Sequence, residues 1–141
     1  MGKKSQMFFT SGKEKALKEI FTGESPTFGY IALGYVQDAS TNGFESESDF
    51  QELEDVNYKR LPISLDTTST TEVDTDTGKV LVKFTATLPN SIILDQKSIN
   101  QIAVVDNKNI GANTTIYCAT TFPTFTKTQD SSITFILGFR I

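Results

Sequence analysis

"GKVLVKFTATL", residues 78–88, is the stretch on which the fold turns. Val80, Val82, Phe84, Ala86 and Leu88 recur every second residue, and from Val82 onward Lys83, Thr85 and Thr87 fill the positions between them. Side chains of a strand alternate between its two faces, so this pattern predicts a strand with one buried face. "SSITFILGFRI", residues 131–141, repeats the device with Ile133, Phe135, Leu137, Phe139 and Ile141 and predicts a closing strand. "SINQIAVVD" (98–106) and "TTIYCATTF" (114–122) read as two more strands, separated by the turn-rich "NKNIGAN". In "KRLPISL" (59–65) Leu61, Ile63 and Leu65 alternate with polar residues, but Pro62 cannot donate to a ladder and marks an edge. The threonine-dense "DTTSTTEVDTDTG" (66–78) reads as a strand entering a hairpin.

Upstream the period changes. "SGKEKALKEIFTG", residues 11–23, predicts the one convincing helix, with Ser11 as cap, Glu14 as capping-box partner and Gly23 as terminator. Ala16, Leu17, Ile20 and Phe21 share its apolar face, expected to lie on a sheet. Glu14 with Lys18, and Lys15 with Glu19, fall at supportive spacing on the wet side. Residues 1–10 read as an N-terminal arm. The expected architecture is a single domain, mainly β: an antiparallel β-sandwich over 28–141 with one short N-terminal helix. "YIALG" (30–34) is expected as a central strand behind that helix, with Gly34 admitting a close backbone neighbour or starting the next loop.

That next stretch, "QDASTNGFESESDFQELEDV" (37–56), is strongly acidic, with Phe44, Phe50, Leu53 and Val56 as its few apolar residues. It reads as a long surface loop, either contacting a partner or pinned to the body by Phe50 and Leu53. The chain carries 13 basic and 17 acidic residues, a formal charge of -4, which argues against electrostatic binding to nucleic acid or anionic membrane. Its N-terminal apolar patch is too short for a signal-peptide core or a membrane span.

Chemistry is sparse. With no histidine, Ser-His-Asp and Cys-His arrangements and histidine-based metal sites are excluded. The single cysteine, Cys118, cannot form an internal disulfide and reads as a small strand hydrophobe. Clustered loop acids without tryptophan make a poor glycosidase site. "DTDTG" lacks the spacing of a calcium loop. No catalytic, cofactor or metal residues are therefore assigned. The rings expected at protein–protein interfaces are Phe8, Phe9, Tyr35, Phe44, Phe50, Phe122 and Phe125, with core packing the competing reading for Tyr35, Phe122 and Phe125.

The order of these signals resembles a recurring domain of bacteriophage virion proteins, found in tail-fibre, baseplate and capsid-accessory components. The matching pieces are "FTSGKEKALKEIFTG", "YIALG", "LEDVNYKRLPI", "INQIAVVDNKN" and "TTFPTFTKTQDSSITF", spread over nearly all of the chain. Where members often carry Glu before the apolar pair of the fourth piece, this chain has Gln101, removing any ion pair of that Glu with Arg60. The resemblance implies a non-enzymatic virion structural protein, in contact with copies of itself and other virion proteins within a symmetric assembly. Ending at Ile141 inside its last strand, the chain is expected to act as an adaptor, plug or surface accessory. The alternative is a host-receptor or glycan-binding module, for which only "NKNIGANTTIY" (107–117) offers suitable residues.

Overall fold

The computed structural model describes residues 2–23, 29–65, 72–73, 76, 80–89, 91–92, 94, 97–111, 113–128 and 131–140. The chain is mainly β, with one helix and antiparallel sheets. Its elements are β1 (Gln6–Phe8), α1 (Thr10–Phe21), β2 (Tyr30–Gly34), β3 (Leu61–Pro62), β4 (Ser64–Leu65), β5 (Glu72–Val73), β6 (Val80–Leu88), β7 (Ser98–Val105), β8 (Ile116–Thr126) and β9 (Ile133–Arg140). Five strands form one sheet in the order β1-β8-β7-β2-β3. In the second sheet β6 pairs β9 along one side and the short β4 and β5 along the other. Among the described residues, no helix is long and apolar enough to cross a membrane.

The two sheets share one core. Ile31 and Leu33 of β2, Ile99, Ile102 and Val104 of β7, and Cys118 of β8 pack with Ala86 and Leu88 of β6 and Phe135 of β9. The alternation read from 78–88 holds where side chains are described: Ala86 and Leu88 are buried, Thr87 is exposed, and Phe135 lies between exposed Thr134 and Ile136. The side chains of Val80, Val82, Phe84, Leu137 and Phe139 lie outside the described residues, as does Ile141. The expected hairpin before β6 is present as β5 paired antiparallel to it, although most of its turn falls outside the described residues. Pro62 sits on the edge strand β3, where its missing N–H costs no ladder bond.

The outer face of the larger sheet is covered as well. Ala32, Ala103 and Ala119 stand in register across β2, β7 and β8, and all three are buried. A row of methyl groups lets bulkier side chains approach closely, and Phe9, Phe44 and Phe50 pack there. Phe9 and Phe44 meet edge to face with centroids 6.0 Å apart, a favoured aromatic geometry. The acidic stretch therefore forms a cover over the sheet rather than a detached loop. It enters through two short 3-10 turns, Ala39–Thr41 and Glu47–Asp49. Phe44 then exchanges backbone hydrogen bonds with Lys4, binding the N-terminal arm into the same layer.

Helix α1 differs from its sequence reading in two ways. It rests on β8, not on β2, and its buried positions are Gly12, Ala16 and Glu19. Leu17 and Phe21 of the predicted stripe are 53% and 85% exposed, and the Ile20 side chain lies outside the described residues. The cause is Tyr117, the extra residue at a register shift between β7 and β8. Its carbonyl accepts from the Phe9 N–H at 2.9 Å, and its hydroxyl donates to Glu19 Oε1 at 3.1 Å. Between these anchors a Cβ on Gly12 would lie 2.4 Å from the Tyr117 Cα, so only glycine allows the helix to sit this low. Ser11 is thus inside the helix instead of capping it, and its hydroxyl donates to Glu47. Gly23 follows the helix at φ 80, the left-handed conformation expected of a terminator. Lys18 and Glu14 pair at 3.0 Å as expected, whereas Lys15 turns to Asp106 because Glu19 is buried.

Candidate functional site

Two sheet edges set the chemistry of the surface. Along β2 the outer edge is filled by segments on either side of "NYKR". Tyr35 donates to the Gln51 carbonyl, and Leu53 donates to the Leu33 carbonyl, at 3.0 and 2.9 Å. Further along, β3 takes over the pairing at Tyr30 and Ile31. In the gap the Leu33 N–H donates to the Tyr58 hydroxyl at 2.9 Å, and that hydroxyl donates to Glu52 Oε2 at 2.6 Å. Glu52 also holds Arg60 in a two-pronged pair, Nε to Oε2 at 2.8 Å and Nη2 to Oε1 at 2.7 Å. A side chain substitutes for a missing strand residue, and a buried guanidinium fixes the carboxylate that holds it. Burial and the Glu52 carboxylate push the Tyr58 phenol far up, and hydrogen bonding to Glu52 raises Arg60 above its ordinary value. Arg60 thus has a carboxylate partner after all, supplied by the acidic stretch.

Gln101 holds the middle of that stretch. Its Oε1 accepts from the Gln51 N–H at 2.9 Å, while its Nε2 donates to Asn42 Oδ1 at 3.0 Å and the Asp49 carbonyl at 3.1 Å. A carboxylate could accept but not donate, so a Glu at this position would leave two acceptors unmatched. Asn100, next to it and equally buried, accepts from the Val36 N–H and donates to the Val36 carbonyl and to Thr124 Oγ1. Gly34 has the close neighbour the sequence asks for: a Cβ there would lie 2.6 Å from the Gln51 carbonyl oxygen.

Most acids of the stretch have structural duties. Asp38 accepts from Ser40, which lowers its carboxyl below the usual range. Asp49 accepts from the Glu45 and Ser46 N–H groups and pairs with Lys3 at 3.1 Å, and these contacts lower it likewise. Among the described residues no group of three or more Asp, Glu, Cys or His converges as a metal-donor set. Cys118 is buried, and loss of solvation pushes its thiol upward.

The rings named as interface candidates divide by burial. Phe9, Phe44 and Phe50 lie in the core, which removes them as contact surfaces of the isolated chain. Phe8 and Tyr35 are half-buried against the inter-sheet core. Phe122 and Phe125 stack at 5.5 Å and meet Phe135 of the second sheet at 6.0 and 6.2 Å, so they join the two sheets. Among the described residues the exposed large apolar ones are instead Leu17, Phe21, Val56, Ile110 and Ile136.

Ile136 marks the second edge. Strand β9 pairs β6 over its whole length, from Ile133↔Leu88 to Arg140↔Leu81. Among the described residues no strand pairs its other side. This eight-residue strand contains no proline and no lysine; its one charged residue, Arg140, stands at its end, and Ile136 is 70% exposed.

Comparison with protein-family models, with curated proteins and with solved structures finds no match to this chain.

Proposed function

We propose that this protein is a non-enzymatic structural subunit of a bacteriophage virion, joined to copies of itself or to neighbouring virion proteins in a symmetric assembly. The observation that carries the reading is the edge of β9, unpaired among the described residues, where alternate residues turn backbone donors and acceptors outward beside an exposed isoleucine. Such an edge gains affinity by adding a strand from another chain, and repetition in a symmetric particle multiplies modest contacts through avidity. The exposed Leu17 and Phe21 of α1 provide a second apolar surface. The ordered motifs that resemble virion domains supply the biological setting.

Two measurements test it. Light scattering coupled to size exclusion should show association that rises with concentration and disappears in Ile136→Lys. Mass spectrometry of purified particles should find the chain at a fixed ratio to the major virion proteins. A monomer at all concentrations overturns pairing between copies, and absence from particles overturns the virion assignment.

A further inference from the structure

We infer that the cleft beside Tyr30 is a binding site for an acidic sugar, a pyranose bearing a carboxylate. Its volume is about 400 Å³, near the lower end of the range for small-molecule sites. Tyr30, Tyr58 and Arg60 line it, and Lys108, Asn109 and Ile110 form its wall.

The wall is built in place. Arg60 Nη1 donates to the Asn107 carbonyl at 2.8 Å, to the Asn109 carbonyl at 3.4 Å and to Thr114 Oγ1 at 3.1 Å. The cation that secures the β2 edge therefore also shapes this turn, and a site held in advance loses less freedom on binding.

The charge in the cleft is opposite in sign to that of the whole chain. Lys59 and Lys108 are exposed lining residues with no ion pair among the described residues. Among the described residues no carboxylate lines the cleft, and of the acids nearby in sequence Glu52 is paired with Arg60 and Asp106 with Lys15. Two ammonium groups in a lining without carboxylates favour an anion. The half-buried ring of Tyr30 and the half-exposed Ile110 add apolar surface, which suits the C–H face of a pyranose and gives inorganic phosphate nothing. Asn109 supplies a hydroxyl partner.

The cleft shares no residue with β9, so this inference stands or falls apart from the assembly reading. The test is an amide-resolved NMR titration of the full chain with D-glucuronic acid and N-acetylneuraminic acid, with D-glucose and a hexaglutamate peptide alongside. Saturable shifts are expected at the Lys108, Asn109 and Ile110 amides with at least one acidic sugar and not with glucose. In the double variant K59E/K108E the affinity should fall about tenfold or more. Both lysines are exposed, so unchanged amide shifts elsewhere will show that the variant is folded. The inference is overturned by no saturable shift with either acid, by equal response to glucose, by an unchanged affinity in the double variant, or by hexaglutamate saturating these amides while the sugars do not.

Discussion

The outer edges of β2 and β9 present the same physical difficulty, a row of backbone groups with nothing to pair them, and the molecule treats them in opposite ways. At β2 the vacancy is closed by Tyr58, Glu52 and Arg60, and by Gln101 behind them. At β9 no such device stands among the described residues, and the exposed face carries Thr134 and Ile136. Polar networks are costly to bury unless every member is satisfied, but once complete they fix a single arrangement. An unpaired edge fixes nothing by itself. The contrast separates an edge closed by side chains from one left unpaired among the described residues.

Removing the carboxylate from the closed edge should do the most damage. Glu52→Ala strands a buried guanidinium and the Tyr58 hydroxyl together, and is expected to cost about 3 kcal/mol in denaturant unfolding. Glu52→Gln keeps an acceptor for both and should cost about half as much. If Glu52→Ala is neutral, the network does not secure this edge.

Crowding the same edge comes next. Gly34→Ala would set a methyl group 2.6 Å from the Gln51 carbonyl oxygen and 2.9 Å from Gln101 Oε1. A loss of about 1–3 kcal/mol is expected, read as a lower denaturant midpoint at unchanged slope. At the open edge, Ile136→Lys should leave stability within about 0.5 kcal/mol of the parent, because the side chain is exposed, while it abolishes association.

The gentlest probe is pH. Asp38 and Asp49 are lowered in the folded chain, so their contribution is present above about pH 4 and is lost as pH falls through their folded values. Cys118 is raised, so its contribution is whole below about pH 8.5 and is lost above it, where the unfolded thiol ionises and the folded one does not. Tyr58 follows the same rule from about pH 10. With no histidine in the chain, stability should be level between about pH 5.5 and 8. Cys118→Ala should delay the alkaline decline, and a decline that still starts near pH 8.5 would locate its cause elsewhere.

How much of this was legible in the residues depends on the range of each signal. The strand at 80–88 announced itself through its two-residue period, because burial on one face writes directly into the sequence, whereas β7, buried on both faces, reads as a β-rich run between turn residues. Pro62 at an edge and Gly34 at a close approach were readable for the same local reason. The buried face of α1 was not, since it is set by the carbonyl and hydroxyl of Tyr117, about a hundred residues away in sequence. Nor could composition show that acids 38–52 hold together a cover, because whether a carboxylate is solvated or hydrogen-bonded depends on distant partners such as Arg60 and Lys3. The one available sign was the spacing of Phe44, Phe50 and Leu53 within an otherwise polar run, which offers more anchors than an unattached loop needs.

Gln101 has a consequence for conditions in which the outer carboxylates have been neutralised. A primary amide keeps both its giving and receiving capacity when carboxylates are protonated. Acid should therefore unfasten the rim of the cover, where Asp49 meets Lys3, while its centre stays docked on the sheet.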